Sequence, residues 1–240
     1  MIKTLQSPDT LALQLAHSSR IIDQFIKSCS HDLRGPLASI QGLVEVARHS
    51  QGQDLTQCLD LILRCNSKLM EMIASLEDYM IHSRKEVKTE TIDPEQLATG
   101  ILDQYKHLIA ANNIRVSLHV DQPFPWMSDP EACGTILREV ISNAIRFADD
   151  SKSRKKILIS MQVSADTATI AVQDNGIGMG DAHHKLLYEP FFRGSRQSRM
   201  GLGLFLVRTL IDKLGGSMSI LSQEEEGTTC RLTIPNLIMQ

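Results

Sequence analysis

Residues 170–179 read Ile170-Ala171-Val172-Gln173-Asp174-Asn175-Gly176-Ile177-Gly178-Met179. The apolar, partly β-branched start predicts a strand, and the Asp-Asn-Gly step with a second glycine predicts a loop directly after it. Working outward, Lys156–Val163 and Thr167–Gln173 read as two successive strands. Further upstream, Asp129-Pro130-Glu131 has the form of an N-cap with proline at the first helical position, opening a helix to about Phe147. Asp93-Pro94-Glu95 repeats that signal and opens a helix to about Ala111. Between them, Ile114, Val116, Leu118 and Val120 alternate on one face of a strand. Downstream, Leu202–Leu214 reads as a helix closed by Gly215-Gly216, and Ser217–Leu221 and Thr228–Ile234 complete a sheet. Mixed strand order with antiparallel neighbours predicts an α+β sandwich over residues 93–240, one sheet layered on helices.

The pattern before residue 85 is different. Ile21, Ile22, Phe25, Cys29, Leu33, Leu37, Ile40, Val44 and Ala47 recur at helical spacing. Pro36 falls inside that run and is expected to kink the helix. Ser50-Gln51-Gly52-Gln53-Asp54 reads as a polar turn with a glycine stop and an aspartate able to cap the next helix. In the second helix Leu55, Leu59, Ile62, Asn66, Leu69, Ile73, Leu76 and Met80 alternate steps of four and three, as in a coiled-coil seam. Asn66 is either a register-fixing polar residue within the seam or a partly exposed one at its edge. Two helices joined by a short turn cannot bury both faces alone, so a four-helix bundle in a homodimer is expected. The reading is a helical domain over 1–84, a charged linker over 85–92 and the sandwich beyond it.

Composition narrows the class. The chain has 240 residues, enough for two ordinary domains, and a net charge of −3 argues against a general nucleic-acid or membrane binder. The cysteines at 29, 58, 65, 133 and 230 are odd in number and form no CxxC pair, so a reduced, cytoplasmic protein is expected. No apolar run approaches the ~20 residues of a membrane span. The N-terminus lacks the apolar core of a signal peptide.

Within the first helix lies Ser30-His31-Asp32-Leu33-Arg34-Gly35-Pro36-Leu37. Cys29 and Leu33 belong to the apolar face, which points His31 outward. An imidazole nitrogen is a good nucleophile toward phosphorus, and the adjacent Asp32 could accept its proton. Gly35, Ala38 and Gly42 continue the outward face as a strip of small residues, past which another domain can bring a bulky phosphate. On position alone His31 reads first as an ordinary exposed helix histidine, and Asp32 as a solvated helix residue.

Taken together, this histidine segment, the Asp174–Met179 segment and Gly201-Leu202-Gly203-Leu204 resemble the H, G1 and G2 boxes of the sensor histidine kinases of two-component signalling. The resemblance runs from about residue 20 to the end. It implies a dimerisation and phospho-acceptor domain followed by a GHKL (Bergerat) ATP-binding fold. Glu139 to Phe147 resembles the N box: Asn143 would offer an amide oxygen to Mg²⁺, Arg146 would reach phosphates, and Glu139 would either hold a ligand of the metal in place or act as a base toward His31. Asp174 would accept a hydrogen bond from the exocyclic amine of adenine, with Gly176 and Gly178 allowing tight backbone beside the nucleotide. Tyr188-Glu189-Pro190-Phe191-Phe192-Arg193-Gly194 resembles the F box. Arg193, Arg196 and Arg199 then lie in what resembles a short ATP lid and suit a triphosphate. Gly201, Leu202 and Gly203 open a helix whose amide groups can bind phosphate, with Thr228 on the last hairpin beside them.

The implied activity is transfer of the ATP γ-phosphoryl group to His31 and then to an aspartate of a response-regulator receiver domain. Gly35 departs from relatives with strong phosphatase activity, which carry Thr or Asn four residues after the histidine, so reverse activity is expected to be poor. Members of this family normally carry an input domain before the histidine, so the chain is read either as a catalytic fragment or as a kinase driven through a sensor partner. Two other readings stand beside it: an inactive dimeric scaffold, and a GHKL ATPase in which Glu139 activates water.

Overall fold

The computed structural model describes residues 33–180 and 203–237. The chain divides into two compact units, Met1–Ser75 and Leu76–Gln240.

In the first unit, α1 is described over 33–47 and is helical on both sides of Pro36. α2 runs Gly52–Arg84 and continues into the second unit. Gly52, at φ +58°, already begins α2, so Asp54 falls inside the first turn and does not cap it. The expected seam also divides. Cys58, Leu69 and Met72 are buried, and Leu55, Ile62, Cys65 and Leu76 are half-buried with them, forming one stripe at steps of three and four. Leu59, Asn66 and Ile73 lie on a second stripe with Leu63 and Met70, and all five are exposed in the single chain. Helix α2 thus has two apolar stripes: one is covered within the chain, and the other is exposed. A single seven-residue repeat could not separate them, because the two stripes interleave in sequence.

The second unit holds β1 (Glu90–Ile92), α3 (Pro94–Ala111), β2 (Ile114–Asp121), β3 (Trp126–Ser128), α4 (Pro130–Arg146), β4 (Lys155–Val163), β5 (Thr167–Asp174), α5 (Gly203–Lys213), β6 (Ser217–Gln223) and β7 (Gly227–Pro235). Five strands form one sheet in the order β2-β4-β5-β7-β6, parallel only between β2 and β4. That parallel pair needs a crossover, which β3 and α4 supply. β1 and β3 form a separate antiparallel ribbon that the sequence reading did not include. At three residues each, both strands are too short to carry a period, and β1 falls at the end of the charged linker.

Alternation explains the layering. Ile157, Ile159, Met161 and Val163 of β4 are buried, as are Ala168, Ile170 and Val172 of β5 and Cys230, Leu232 and Ile234 of β7. Their odd-numbered or even-numbered partners face out, so one face of the sheet is covered and the other is open. Helix α4 packs against both α3 and α5 on the covered face. The cap readings hold. Asp93 accepts from Gln96 N at 2.9 Å, and Asp129 Oδ1 accepts from Glu131 N and Ala132 N at 3.0 and 2.9 Å. Asp129 Oδ2 also accepts from Lys88 N at 2.9 Å, tying the linker to the start of α4. The end of α2 joins the same unit through Tyr79, whose ring lies 5.5 Å from that of Phe205 in α5. The only tryptophan of the chain, Trp126, is fully buried in this core, and its indole N–H has no partner among the described residues.

Candidate functional site

The site is built where α4 ends, where β5 ends and where β7 begins. Helix α4 buries Ile136, Leu137, Val140, Ile141, Ala144 and Ile145. Glu139, Asn143 and Arg146, at steps of four and three, therefore share the half-buried edge of that face. At the C-terminal end of α4, the Phe147 carbonyl accepts from Ile177 N at 3.0 Å. This bond joins the helix to the loop after β5.

Asp174 is the last residue of β5, and most of its carboxylate is buried. Its Oδ1 accepts from Gly176 N at 2.8 Å and from Thr228 N at 3.2 Å. Among the described residues Oδ2 has no hydrogen-bond partner. Burial raises the pKa of Asp174, opposed by the two N–H donors and by the nearby charge of Lys152. A buried carboxylate with one oxygen fixed is set to receive a donor from a ligand on the other.

The loop after β5 and the hairpin facing it require glycine at three positions. Gly178 has φ +62°, and a β-carbon there would lie 1.8 Å from the Gln223 carbonyl oxygen. Gly227 has φ +119°, and its β-carbon would lie 2.2 Å from the Asp174 carbonyl oxygen. At Gly176 the obstacle is the Phe147 carbonyl oxygen, at 2.2 Å. The loop after β5 is thus pressed between the end of α4 and the β6–β7 hairpin. At the start of α5, a β-carbon on Gly203 would sit 2.5 Å from Glu139 Oε2, which places the Glu139 carboxylate against that helix start.

Among the expected site residues, the structure therefore brings Glu139 to Gly203, and Asp174 to Gly176 and Thr228. Asn143 and Arg146 stand on the same helix edge as Glu139. His31, Asp32, Arg193, Arg196, Arg199, Gly201 and Leu202 lie outside the described residues, as does the stretch read as an F box. Gly35, Ala38 and Gly42 are all exposed, as the small strip requires.

Sequence reasoning missed the supports of this loop. Asn175 looked like the middle of a turn, but its side chain is a brace: Oδ1 accepts from Lys156 N at 2.7 Å and Nδ2 donates to the Arg154 carbonyl at 2.8 Å. Ser222 Oγ meets Thr228 Oγ1 at 2.8 Å across the hairpin. These contacts join residues 6 to 21 positions apart and leave no periodic trace. The thiols of Cys133 and Cys230 are pushed up to about 12 by burial, which removes them as nucleophiles.

Residues 21–81 match the family described as the His Kinase A (phospho-acceptor) domain. Residues 128–238 match the family described as the histidine kinase-, DNA gyrase B- and HSP90-like ATPase. The chain is 25% identical over 247 residues to the sensor histidine kinase RcsC of Escherichia coli strain K12, covering 98% of this chain and 25% of that protein. It is 26% identical over 227 residues to the histidine protein kinase SaeS of Staphylococcus aureus strain USA300, covering 89% of this chain and 64% of that protein. The chain thus spans between a quarter and about two thirds of the length of these relatives. Its fold is shared with histidine kinase ThkA, solved in complex with the response regulator protein TrrA. The TM-score is 0.75 at 17% identity, over 98% of this chain and 69% of that one.

Proposed function

The chain belongs to the sensor histidine kinases, its two units carrying that family's phospho-acceptor and ATPase domains, and from that premise we propose that it is an ATP-dependent protein histidine kinase acting through His31. One observation carries the reading. A domain that offers a histidine is joined in one chain to a domain in which Asp174 has Oδ1 fixed by two backbone donors and Oδ2 open to an adenine amine.

In the proposed reaction the Nε2 lone pair of His31 bonds to the γ-phosphorus. The bond from phosphorus to the β,γ-bridging oxygen breaks, and ADP leaves. Asp32 orients the ring and takes its proton. The phosphoryl group then passes to a carboxylate oxygen of a receiver-domain aspartate as the nitrogen–phosphorus bond breaks. Arg146 and the lid arginines 193, 196 and 199 bind the phosphates and stabilise charge on the group in transit. The start of α5 at Gly203 would offer backbone N–H groups to the same phosphates, and Gly201 and Leu202, outside the described residues, are assigned to that role with it.

The donor set fits Mg²⁺. Asn143 would supply one amide oxygen to the ion. Few protein ligands plus phosphate oxygens and water is the pattern of this hard ion. When bound it would neutralise phosphate charge.

The partners follow from the same reading. The exposed stripe of Leu59, Leu63, Met70 and Ile73 supports a homodimer. The ThkA complex supports a receiver domain as phosphate acceptor. No helix among the described residues is long and apolar enough to cross a membrane.

The test is incubation with γ-labelled ATP and Mg²⁺, comparing the native chain with His31→Ala. Label retained on the native protein and absent from the variant is expected. Equal labelling overturns the assignment of His31. Free phosphate released without retained label would favour an ATPase, with Glu139 activating water.

A further inference from the structure

Lys152 lies in the connection between α4 and β4, in a run of charged and polar residues. Its surroundings are not those of a solvated side chain. The side chain is only 26% exposed. Its Nζ donates to the carbonyl oxygens of Asn175 at 2.7 Å and Gly176 at 3.2 Å, and also to that of Glu225. An ammonium has three donors, so this set saturates it. The Asp149 carboxylate stands 3.9 Å away.

The three acceptors belong to two separate segments. Asn175 and Gly176 are in the loop after β5, and Glu225 is at the tip of the β6–β7 hairpin, where it has φ +63°. The same two segments supply the donors that hold Asp174: Gly176 N from the loop and Thr228 N from the hairpin. The direct backbone bond between them is Glu225 N to the Ile177 carbonyl, at 2.7 Å. Lys152 thus rivets the two sides of the clamp that fixes the Asp174 carboxylate.

We propose that Lys152 is a positioning residue for recognition of the adenine base, acting through Asp174 by fastening the loop after β5 to the β6–β7 hairpin. This inference rests on the reading that Asp174 receives the base. Lys152 touches neither the base nor the phosphates. Its effect falls on base affinity and selectivity and leaves phosphoryl transfer from bound nucleotide unchanged.

The experiment compares the native full chain with Lys152→Met, Lys152→Arg and Asp174→Asn, measuring ATP and GTP binding by calorimetry and His31 labelling at saturating ATP. Lys152→Met keeps the apolar stem and removes all three donors. Its ATP affinity should fall by about tenfold, the size expected for losing bonds to a charged donor. GTP affinity and the saturating rate should each stay within about twofold of native, because phosphate contacts are untouched. Lys152→Arg keeps charge and donors and should restore most of the loss. Adding Lys152→Met to Asp174→Asn should cost less than it does alone, because both act on one clamp.

Native ATP affinity in Lys152→Met, alongside a weakened Asp174→Asn, overturns the role of Lys152 and leaves the base reading intact. Native affinity in Asp174→Asn overturns the base reading itself. An equal loss of ATP and GTP affinity in Lys152→Met reduces Lys152 to a general structural contact and overturns the proposal. Should Lys152→Met fail to fold, Lys152→Leu is the second variant. It also removes every Nζ donor, and an unchanged ATP-to-GTP preference there overturns the proposal equally.

Discussion

The helical unit and the sheet unit place their apolar residues in opposite ways. In the sheet unit, Ile159, Ile170, Leu232 and Ile234 are fully buried beneath α4 and its neighbours, and the core closes within one chain. In α2, Leu59, Leu63 and Met70 are at least half exposed while Cys58, Leu69 and Met72 one step away are covered. One unit closes its core within the chain, and the other leaves an apolar stripe exposed. The difference teaches that one helical periodicity can carry two apolar stripes at once, one covered within the chain and one exposed.

The sharpest way to break this contrast is to charge the open stripe. Leu59→Lys with Ile73→Glu removes four apolar side chains from a dimer, at roughly 1.5–3 kcal/mol each. Sedimentation velocity should find monomers at concentrations where the native chain is dimeric, while ATP affinity stays native. A dimer of unchanged strength would mean that a different surface joins the copies.

Next in size is the closed unit's tightest loop. Gly178→Ala introduces a β-carbon 1.8 Å from the Gln223 oxygen at a residue with φ +62°. A destabilisation of about 2–4 kcal/mol is expected, read as a lower Tm of the sheet unit with the dimer intact. Native Tm and native ATP binding in this variant would contradict the packed loop.

Asp174→Asn sharpens the comparison by separating function from stability within one unit. Loss of the charged acceptor should weaken ATP binding by roughly 1–3 kcal/mol. Stability should move the other way. A carboxyl whose folded pKa is raised contributes stability below its unfolded pKa and loses it as pH rises through the folded value. At neutral pH Asp174 therefore burdens the fold, and the variant should melt at the same or a slightly higher temperature. For the native chain, ATP affinity should begin to fall on acidification at a pH above the range of an ordinary aspartate, because the protonated carboxyl no longer accepts. An acid limb no higher than that of a solvated aspartate would contradict the burial.

The smallest expected effect lies in the helical unit. Gly35 is exposed, and a β-carbon there meets nothing within 4 Å, so Gly35→Thr or Gly35→Asn fits without strain. Helix stability should rise by up to ~1 kcal/mol relative to glycine. A small gain in receiver dephosphorylation is expected, measured as decay of a phosphorylated receiver in the presence of ADP. Rapid decay promoted by the native chain would contradict the weak-phosphatase reading.

Much of this was legible because it is local. The five long strands, the Asp93 and Asp129 caps and the paired glycines of the loop after β5 each leave a mark within a few residues. The β1–β3 ribbon did not, being too short for alternation. The stripes of α2 were merged because Leu55, Leu59, Ile62 and Asn66 satisfy the step rule while lying on two faces. Lys152 and Asn175 were invisible for a third reason. Their partners are backbone carbonyls and amides, which every residue carries, so no pairing pattern in the side chains reports them.

The single buried tryptophan has a practical consequence. Because Trp126 belongs to the sheet unit, intrinsic indole emission reports the environment of that unit alone, while far-ultraviolet circular dichroism sums the helices of both units, α1 and α2 together with α3, α4 and α5. Denaturant titrations followed by both signals on one unmodified sample can therefore tell whether the two halves melt together or apart. If a second copy covers the exposed stripe of α2, the part of the dichroism change that comes from α2 should shift with protein concentration and the emission midpoint should not.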